Sequence, residues 1–144
     1  MGKTKIGKGM KLMLEVRSDG RPVAALVAAA NRAENHLVEE LLASGGERLL
    51  PAILLADKAY DDDRLRDALQ AQGVRLLAPH RENRVKPPRH DGRHLRRYQR
   101  RWVVERTFAW LQNFRRLIQR HERYAFIFAG FVSLAALITT ARGL

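Results

Sequence analysis

Residues 50–78, "LPAILLADKAYDDDRLRDALQAQGVRLLA", constrain the fold more than any other part of the chain. The run around Ile53–Ala56 is short and continuously apolar, as expected of a strand buried on both faces. A helical segment follows, with Asp61 to Asp63 complementing its N-terminus and Gly73 closing it. A second short apolar run, "VRLLA", comes directly after. A strand, a helix and a strand in this order build a parallel pair with the helix packed over it. Asp57 sits at the C-terminal end of the first strand, the end at which open α/β sheets bind their ligands. Local context alone also allows a plainer role, since an aspartate before "KAYDDD" can serve as a turn or capping residue.

The rest of the chain is read around that unit. "MKLMLEV", "RSDGRP" and "VAALVAA" predict two strands joined at Asp19-Gly20, a strong hairpin signal. "NRAENHLVEELLASGG" predicts a helix with Asn31 and Glu34 as a capping box and Gly45-Gly46 as its stop. "PHRENRVKPPRHDGR" is a long polar loop of the functional or mobile kind. From about His94 to Arg120 the pattern is helical, with Val103, Trp110, Phe114, Leu117 and Ile118 as the buried stripe. The expected fold is α/β: a mixed sheet, made of the hairpin plus the strand–helix–strand unit, covered by a long basic helix and an apolar C-terminal helix. Nothing divides residues 1–144 into two domains.

Charge points to the partner. The chain carries 27 Lys and Arg against 15 acids, a net charge of +12. Between His80 and Arg123 there are 14 Lys/Arg and 4 acids, so most of the excess lies in one segment. Such a segment attracts a polyanion, above all nucleic acid; the competing reading is a solubilising surface, which rarely needs one sign so strongly favoured. The absence of cysteine excludes disulfides and thiolate metal sites. "MGKTKIGKGMK" is basic but lacks the apolar core of a signal peptide, so a cytoplasmic location is expected. Tyr124 to Ala141 is an uncharged stretch of 18 residues. As a helix it would be about 27 Å long, which suits either a buried core helix or a membrane span.

Two motifs are set aside. "GKTKIGKG" does not fit the phosphate-loop pattern and reads as a flexible basic arm. His80, His90 and His94 lack ligand spacing and read as exposed loop residues. The stretch "YQRRWVVERTFAWLQNFRR" is different. On a helix, Tyr98, Arg101, Glu105 and Gln112 fall in one stripe beside the apolar face. An exposed Arg–Glu pair at this spacing contributes only about 0.3–0.5 kcal/mol, too little to account for an acid among so many guanidinium groups. A solvated basic helix with one incidental acid is a second plain reading. Neither connects Glu105 to Asp57. Phosphodiester chemistry does, because it needs carboxylates to hold divalent metal, with arginines gripping phosphates around them.

"LLADKAYDDDRLRDALQAQGVRLLAPHREN" and "YQRRWVVERTFAWLQNFRRL" resemble the second-aspartate region and the glutamate signature, Y-x2-R-x3-E-x6-K, of bacterial insertion-sequence transposases of the DDE type. Tyr98, Arg101 and Glu105 match the signature; Gln112 stands where the family has lysine. The upstream "GKTKIGKGMKLMLEVRSDGRPVAALVAAANRAE" is similar to the hairpin and helix between the family's first and second aspartates. The resemblance implies a partial ribonuclease-H-like domain that cuts DNA at transposon ends and joins the freed 3′-hydroxyl to target DNA, using Mg²⁺ or Mn²⁺. It implies Asp57 and Glu105 as catalytic metal ligands, and Tyr98, Arg97, Arg100, Arg101 and Arg106 as DNA contacts. A homo-oligomer in the active complex, a nucleoid-associated location and no membrane anchor follow from the same likeness. The family's first aspartate lies on a strand upstream of "GKTK", and Asp19, in a turn, is no substitute. The chain is therefore expected to be the C-terminal part of a catalytic domain, to have an unfilled sheet position and to be poorly soluble alone. A non-enzymatic nucleic-acid-binding protein and a small membrane protein anchored by residues 124–141 are the alternatives.

Overall fold

The rhythm of residues 10–29 is realised as an antiparallel hairpin. The computed structural model describes residues 2–3, 8–46, 50–90 and 92–143. Strand β2 (Lys8–Val16) pairs with β3 (Pro22–Ala29), placing Met13 opposite Leu26 and Glu15 opposite Ala24. In the turn, Asp19 Oδ1 accepts the Arg21 N–H at 3.1 Å, and Gly20 adopts a φ of 94°, open to glycine at little cost. A two-residue strand β1 (Gly2–Lys3) pairs with the start of β2 on the edge away from β3. Residues 4–7 of the expected basic arm lie outside the described residues.

Helix α1 (Val38–Gly45) follows a 3₁₀ turn at Glu34–Leu37 and stops at Gly46, whose φ is 86°. The expected capping box is not formed. Glu34 instead pairs with Lys11 at 3.1 Å and accepts the Tyr60 hydroxyl at 3.2 Å, so the carboxylate answers a charge and a phenol across the chain rather than a local N–H.

The second unit is the parallel pair β4 (Ile53–Leu55) and β5 (Arg75–Leu77), with Leu54 beside Leu76 and helix α2 (Asp63–Ala71) connecting them. Asp62 caps α2 by accepting the Leu65 N–H. Strand β4 is only half-buried, against the expectation of a fully enclosed strand, because it has one neighbouring strand. The fold is thus mixed α/β with two separate small sheets, β1-β2-β3 and β4-β5.

Two apolar clusters flank the hairpin. On one side Met13, Ala24 and Ala28 pack with Leu37, Val38, Leu41 and Leu42, and through them with Leu65, Leu69 and Val74. On the other, helices α3 (Trp102–Leu111) and α5 (Ala125–Ala141) cover β2 and β3. Helix α5 buries Phe128, Val132, Ala135 and Thr139, one face at spacings of four, three and four. Among the described residues no helix is long and apolar enough to cross a membrane; the uncharged stretch is used as a packed helix.

The single long basic helix is corrected to three pieces: a 3₁₀ stretch at Arg93–Arg101, then α3, then the short α4 (Arg115–Ile118). The buried positions of α3 are Val103, Thr107 and Leu111. Continuing their spacing of four would turn Arg115 into the core. The chain breaks at Gln112–Phe114 instead, and Arg115 stays exposed. Ile118, expected to be buried, is 67% exposed as a result.

The polar loop after β5 is not loose. Asp61, its side chain 1% exposed, receives Arg66 Nη2 at 2.9 Å, Arg84 Nη1 at 3.1 Å and the Arg81 N–H at 2.9 Å, with His80 Nδ1 at 3.0 Å. Arg66 also donates to the carbonyls of Leu76 and Ala78, and Arg84 grips both oxygens of Asp63. His80 and His90 stack at 4.2 Å, so they are not simply exposed loop histidines. Burial alone would raise the Asp61 pKa; the Arg81 N–H, His80 and Arg66 outweigh it and hold the carboxyl well below the usual carboxylate range.

Two stability outcomes follow. Asp61→Asn should cost about 3–5 kcal/mol, because Arg66 and Arg84 lose a buried partner. The folded-state pKa is depressed, so the contribution of ionised Asp61 is complete above its unfolded value of about 3.9 and drains away as pH falls below it. Urea titrations of both proteins at neutral and acid pH check this; the same acid sensitivity in Asp61→Asn would remove Asp61 as its source. Gly20→Ala should cost about 1–3 kcal/mol, since an added Cβ at positive φ would meet Arg106 Nη2 at 2.6 Å and Trp110 at 3.3 Å; the urea midpoint and tryptophan fluorescence report it.

Candidate functional site

Between β2 and β4 lies a cavity of about 360 Å³. Its walls are apolar, with Val38 and Leu41 from α1 and Val104 and Phe108 from α3; its other lining residues include Lys11, Glu34, Asp57, Tyr60, Arg101 and Glu105. The two acids singled out from the sequence, remote in the chain, both line this one space.

Asp57 arrives there from the end of β4. It caps the 3₁₀ turn Lys58–Tyr60, with Oδ1 accepting the Ala59 N–H at 2.8 Å. The plain capping reading is therefore realised, and it leaves the residue on the cavity wall. The turn is held from outside: Arg81 Nε donates to the Lys58 carbonyl at 3.1 Å and Arg81 Nη2 to the Ala59 carbonyl. Because Arg81 is itself fixed through its N–H to Asp61, the buried carboxylate determines where the Asp57 turn sits. Burial first, then the neighbouring Glu34, pushes the Tyr60 phenol above its usual range, so Tyr60 acts as a neutral donor.

Glu105 arrives from the first turn of α3. Its Oε1 accepts Arg101 Nη2 at 2.8 Å and Nε at 3.2 Å, while Arg101 Nη1 donates to the Tyr98 hydroxyl at 2.8 Å. The three signature residues thus form one hydrogen-bonded chain. The bonds to Glu105 and Tyr98 make the Arg101 guanidinium still more basic. Gln112 is exposed at the C-terminal end of α3, two turns further on.

The remaining arginines divide. Arg97 and Arg100 are exposed on the 3₁₀ stretch and, with Arg96, line a surface groove beside Ser18, Ile53 and Leu55. Arg106 is placed elsewhere. Its guanidinium lies 4.7 Å from the Trp102 ring and 4.6 Å from the Trp110 ring, and donates to the Asp19 carbonyl at 3.3 Å. It fastens α3 to the hairpin turn, alongside Thr107, whose hydroxyl donates to the Gly20 carbonyl at 2.9 Å.

The donor set fits a hard divalent cation in kind, since Asp57 and Glu105 offer carboxylate oxygens. It is short in number: among the described residues no group of three His, Cys, Asp or Glu is placed to hold a metal ion. Sequence reasoning missed Lys11, Glu34 and Tyr60 at the cavity and the Asp61 hub behind it. The lysine interrupting an otherwise apolar strand, and three successive aspartates where one caps a helix, were the available signals.

The comparisons with known proteins bear on this arrangement. A family model described as "Transposase DDE domain" matches residues 2–140. A protein assigned as transposase for the insertion sequence element IS402 of Burkholderia cepacia is 33% identical over 138 residues, covering 90% of this chain and 62% of the relative. The chain therefore spans less than two thirds of that relative's length. No solved structure gives a significant match. With nearly its whole length inside the family model, the chain belongs to the transposase DDE domain family.

Proposed function

We propose that this chain is the C-terminal part of the catalytic domain of an insertion-sequence transposase, acting on DNA by metal-dependent strand cleavage and transfer and incomplete as a catalyst by itself. The single observation that carries the reading is that Asp57 and Glu105 line one cavity, with the arginine-rich 3₁₀ stretch leading directly into the helix that bears Glu105. On this reading the two sheets are parts of one ribonuclease-H-like sheet that lacks the strand bearing a third acid.

Asp57 and Glu105 would hold Mg²⁺ or Mn²⁺. When bound, the cation supplies Lewis-acid stabilisation of charge on the phosphate oxygens and favours the ionised form of the attacking oxygen. The chain's own residues do the rest. Arg101 keeps the Glu105 carboxylate in one orientation, so it need not be ordered when substrate arrives. Tyr98 orients Arg101 in turn. Arg97 and Arg100 meet the DNA backbone, which fixes register without reading sequence. Arg106, committed to Trp102 and Trp110, supports the helix rather than the duplex. Acting on transposon ends and target DNA together calls for a homo-oligomer, and the substrate places it in the cytoplasm at the nucleoid.

The test is DNA cleavage with Mg²⁺ by the chain extended upstream through the segment bearing the third acid. Asp57→Asn and Glu105→Gln should each abolish cleavage and strand transfer while leaving DNA affinity within about twofold; cleavage that survives both substitutions removes the assignment. Binding should weaken steeply with salt, and Arg97→Ala or Arg100→Ala should each reduce the magnitude of the log–log slope by about 0.9. Arg106→Ala should instead lower stability and leave that slope unchanged. A protein that only binds nucleic acid would show the same salt dependence with no cleavage in any extended form.

A further inference from the structure

The stretch running from α4 to the start of α5 carries a second cationic surface, separate in sequence from the 3₁₀ stretch. Residues 115–123, "RRLIQRHER", hold four arginines and one acid. The acid does not offset them at the surface. The Glu122 side chain is only 6% exposed; its Oε1 receives Arg116 Nη1 at 3.2 Å and its Oε2 the His121 N–H at 3.2 Å. Both oxygens are engaged from within the segment. Arg115 and Arg123 are exposed, and Arg116 keeps 59% of its side chain in solvent. The charge turned outward is therefore positive.

Aromatic rings lie directly beside this charge. Tyr124 is 55% exposed and Phe126 73%. Two residues apart on a helix, their side chains would not face each other. Tyr124 is instead the extended residue before α5, with φ −96° and ψ 136°, which brings its ring onto Phe126. The two rings stack with centroids 5.8 Å apart, 27° from parallel. The Arg123 guanidinium lies 5.9 Å from the Tyr124 ring. Core packing does not account for the pair, since α5 sends Phe128 inward and leaves Phe126 outside. The exposed Trp102 differs, because Arg106 already lies over its ring.

Charge and flat rings together select the partner. A second copy meeting this patch with its own would set arginine against arginine. A duplex presents phosphates but keeps its base faces stacked inside, so exposed rings gain little from it. A single strand offers phosphates to arginines and free base faces to aromatic rings. We propose that Arg115, Arg123, Tyr124 and Phe126 form a docking surface for unpaired DNA, with bases stacked on the two rings and the backbone passing the arginines. Strand cleavage and transfer expose unpaired nucleotides, and this surface gives them a place separate from the 3₁₀ stretch. The choice of DNA over RNA rests on the transposase reading; the surface does not depend on Asp57 and Glu105 holding metal.

Fluorescence anisotropy on the 144-residue chain tests this with two probes, an oligothymidylate of about 20 nucleotides and a duplex of the same length. Tyr124→Ala and Phe126→Ala should each weaken single-strand binding by at least about fivefold and leave duplex binding within about twofold. Phe126→Leu, which keeps an apolar side chain but no ring, should behave as Phe126→Ala does, and Phe126→Trp should retain binding. Arg123→Ala should reduce the magnitude of the single-strand salt slope by about 0.7. Equal losses for both probes, or loss for neither, overturn the proposal. Full strand binding by Phe126→Leu, with a dimer of the parent chain converted to monomer, also overturns it and assigns the patch to a second copy. An oligouridylate bound at least about tenfold more tightly than the oligothymidylate overturns the assignment to DNA. Cleavage plays no part in these readouts, so a failure of catalysis in the extended protein would remove the proposed function and leave this surface standing.

Discussion

Asp61 is an ionised carboxylate with almost no solvent, and the placement of the candidate site depends on it. Removing such a charge from water is tolerable only when donors replace the water. Here Arg66, Arg84, His80 and the Arg81 N–H do so. Arg66 comes from α2 and the other three donors from residues 80–84, and Arg66 also holds the Leu76 and Ala78 carbonyls, so this one cluster fixes α2, the end of β5 and the loop after it against one another. Arg81 then reaches back to the carbonyls of the Lys58–Tyr60 turn. The candidate acid Asp57 is thereby positioned by a residue four places further along that never touches the cavity.

This division explains why the fold was more legible than its support. The hairpin, its Asp19-Gly20 turn, the parallel pair and the helix stops at Gly46 and Gly73 all follow from short-range patterns, and the structure has each of them. Periodicity failed where long-range burial decided. The stripe Val103, Thr107, Leu111 leads to Arg115, and an arginine cannot complete an apolar face, so one long helix became three pieces. Glu34 had the right spacing for a cap, yet Lys11 and Tyr60 are better partners for a charge than a backbone N–H. Asp61 looked like one of three helix-capping acids. Only the folded chain separates Asp62, which caps, from Asp61, which is buried.

The same contrast sorts the arginines. Composition presents the basic segment as one surface, but guanidinium groups differ in what they already hold. Arg66 and Arg84 are bound to the Asp61 hub, and Arg106 lies between two indoles. Arg97 and Arg100 are exposed on a stretch that buries none of its residues. The count of 27 lysines and arginines therefore overstates how many can face a polyanion, since several guanidinium groups are committed to partners within the fold. Exposed positive charge is concentrated on the 3₁₀ stretch, immediately before the helix that carries Glu105.

That proximity returns to the acid among the arginines. Left unpaired, a carboxylate beside so much positive charge could swing to any of several guanidinium groups. The i, i+4 spacing gives it one partner, and the hydroxyl of Tyr98 holds that partner in turn. In water such a pair is worth little, so its value lies in direction rather than in stability: it keeps Glu105 on the wall of the same space as Asp57. Asp57 reaches that space from the turn after β4 and Glu105 from helix α3, so two elements remote in the chain supply its acidic wall.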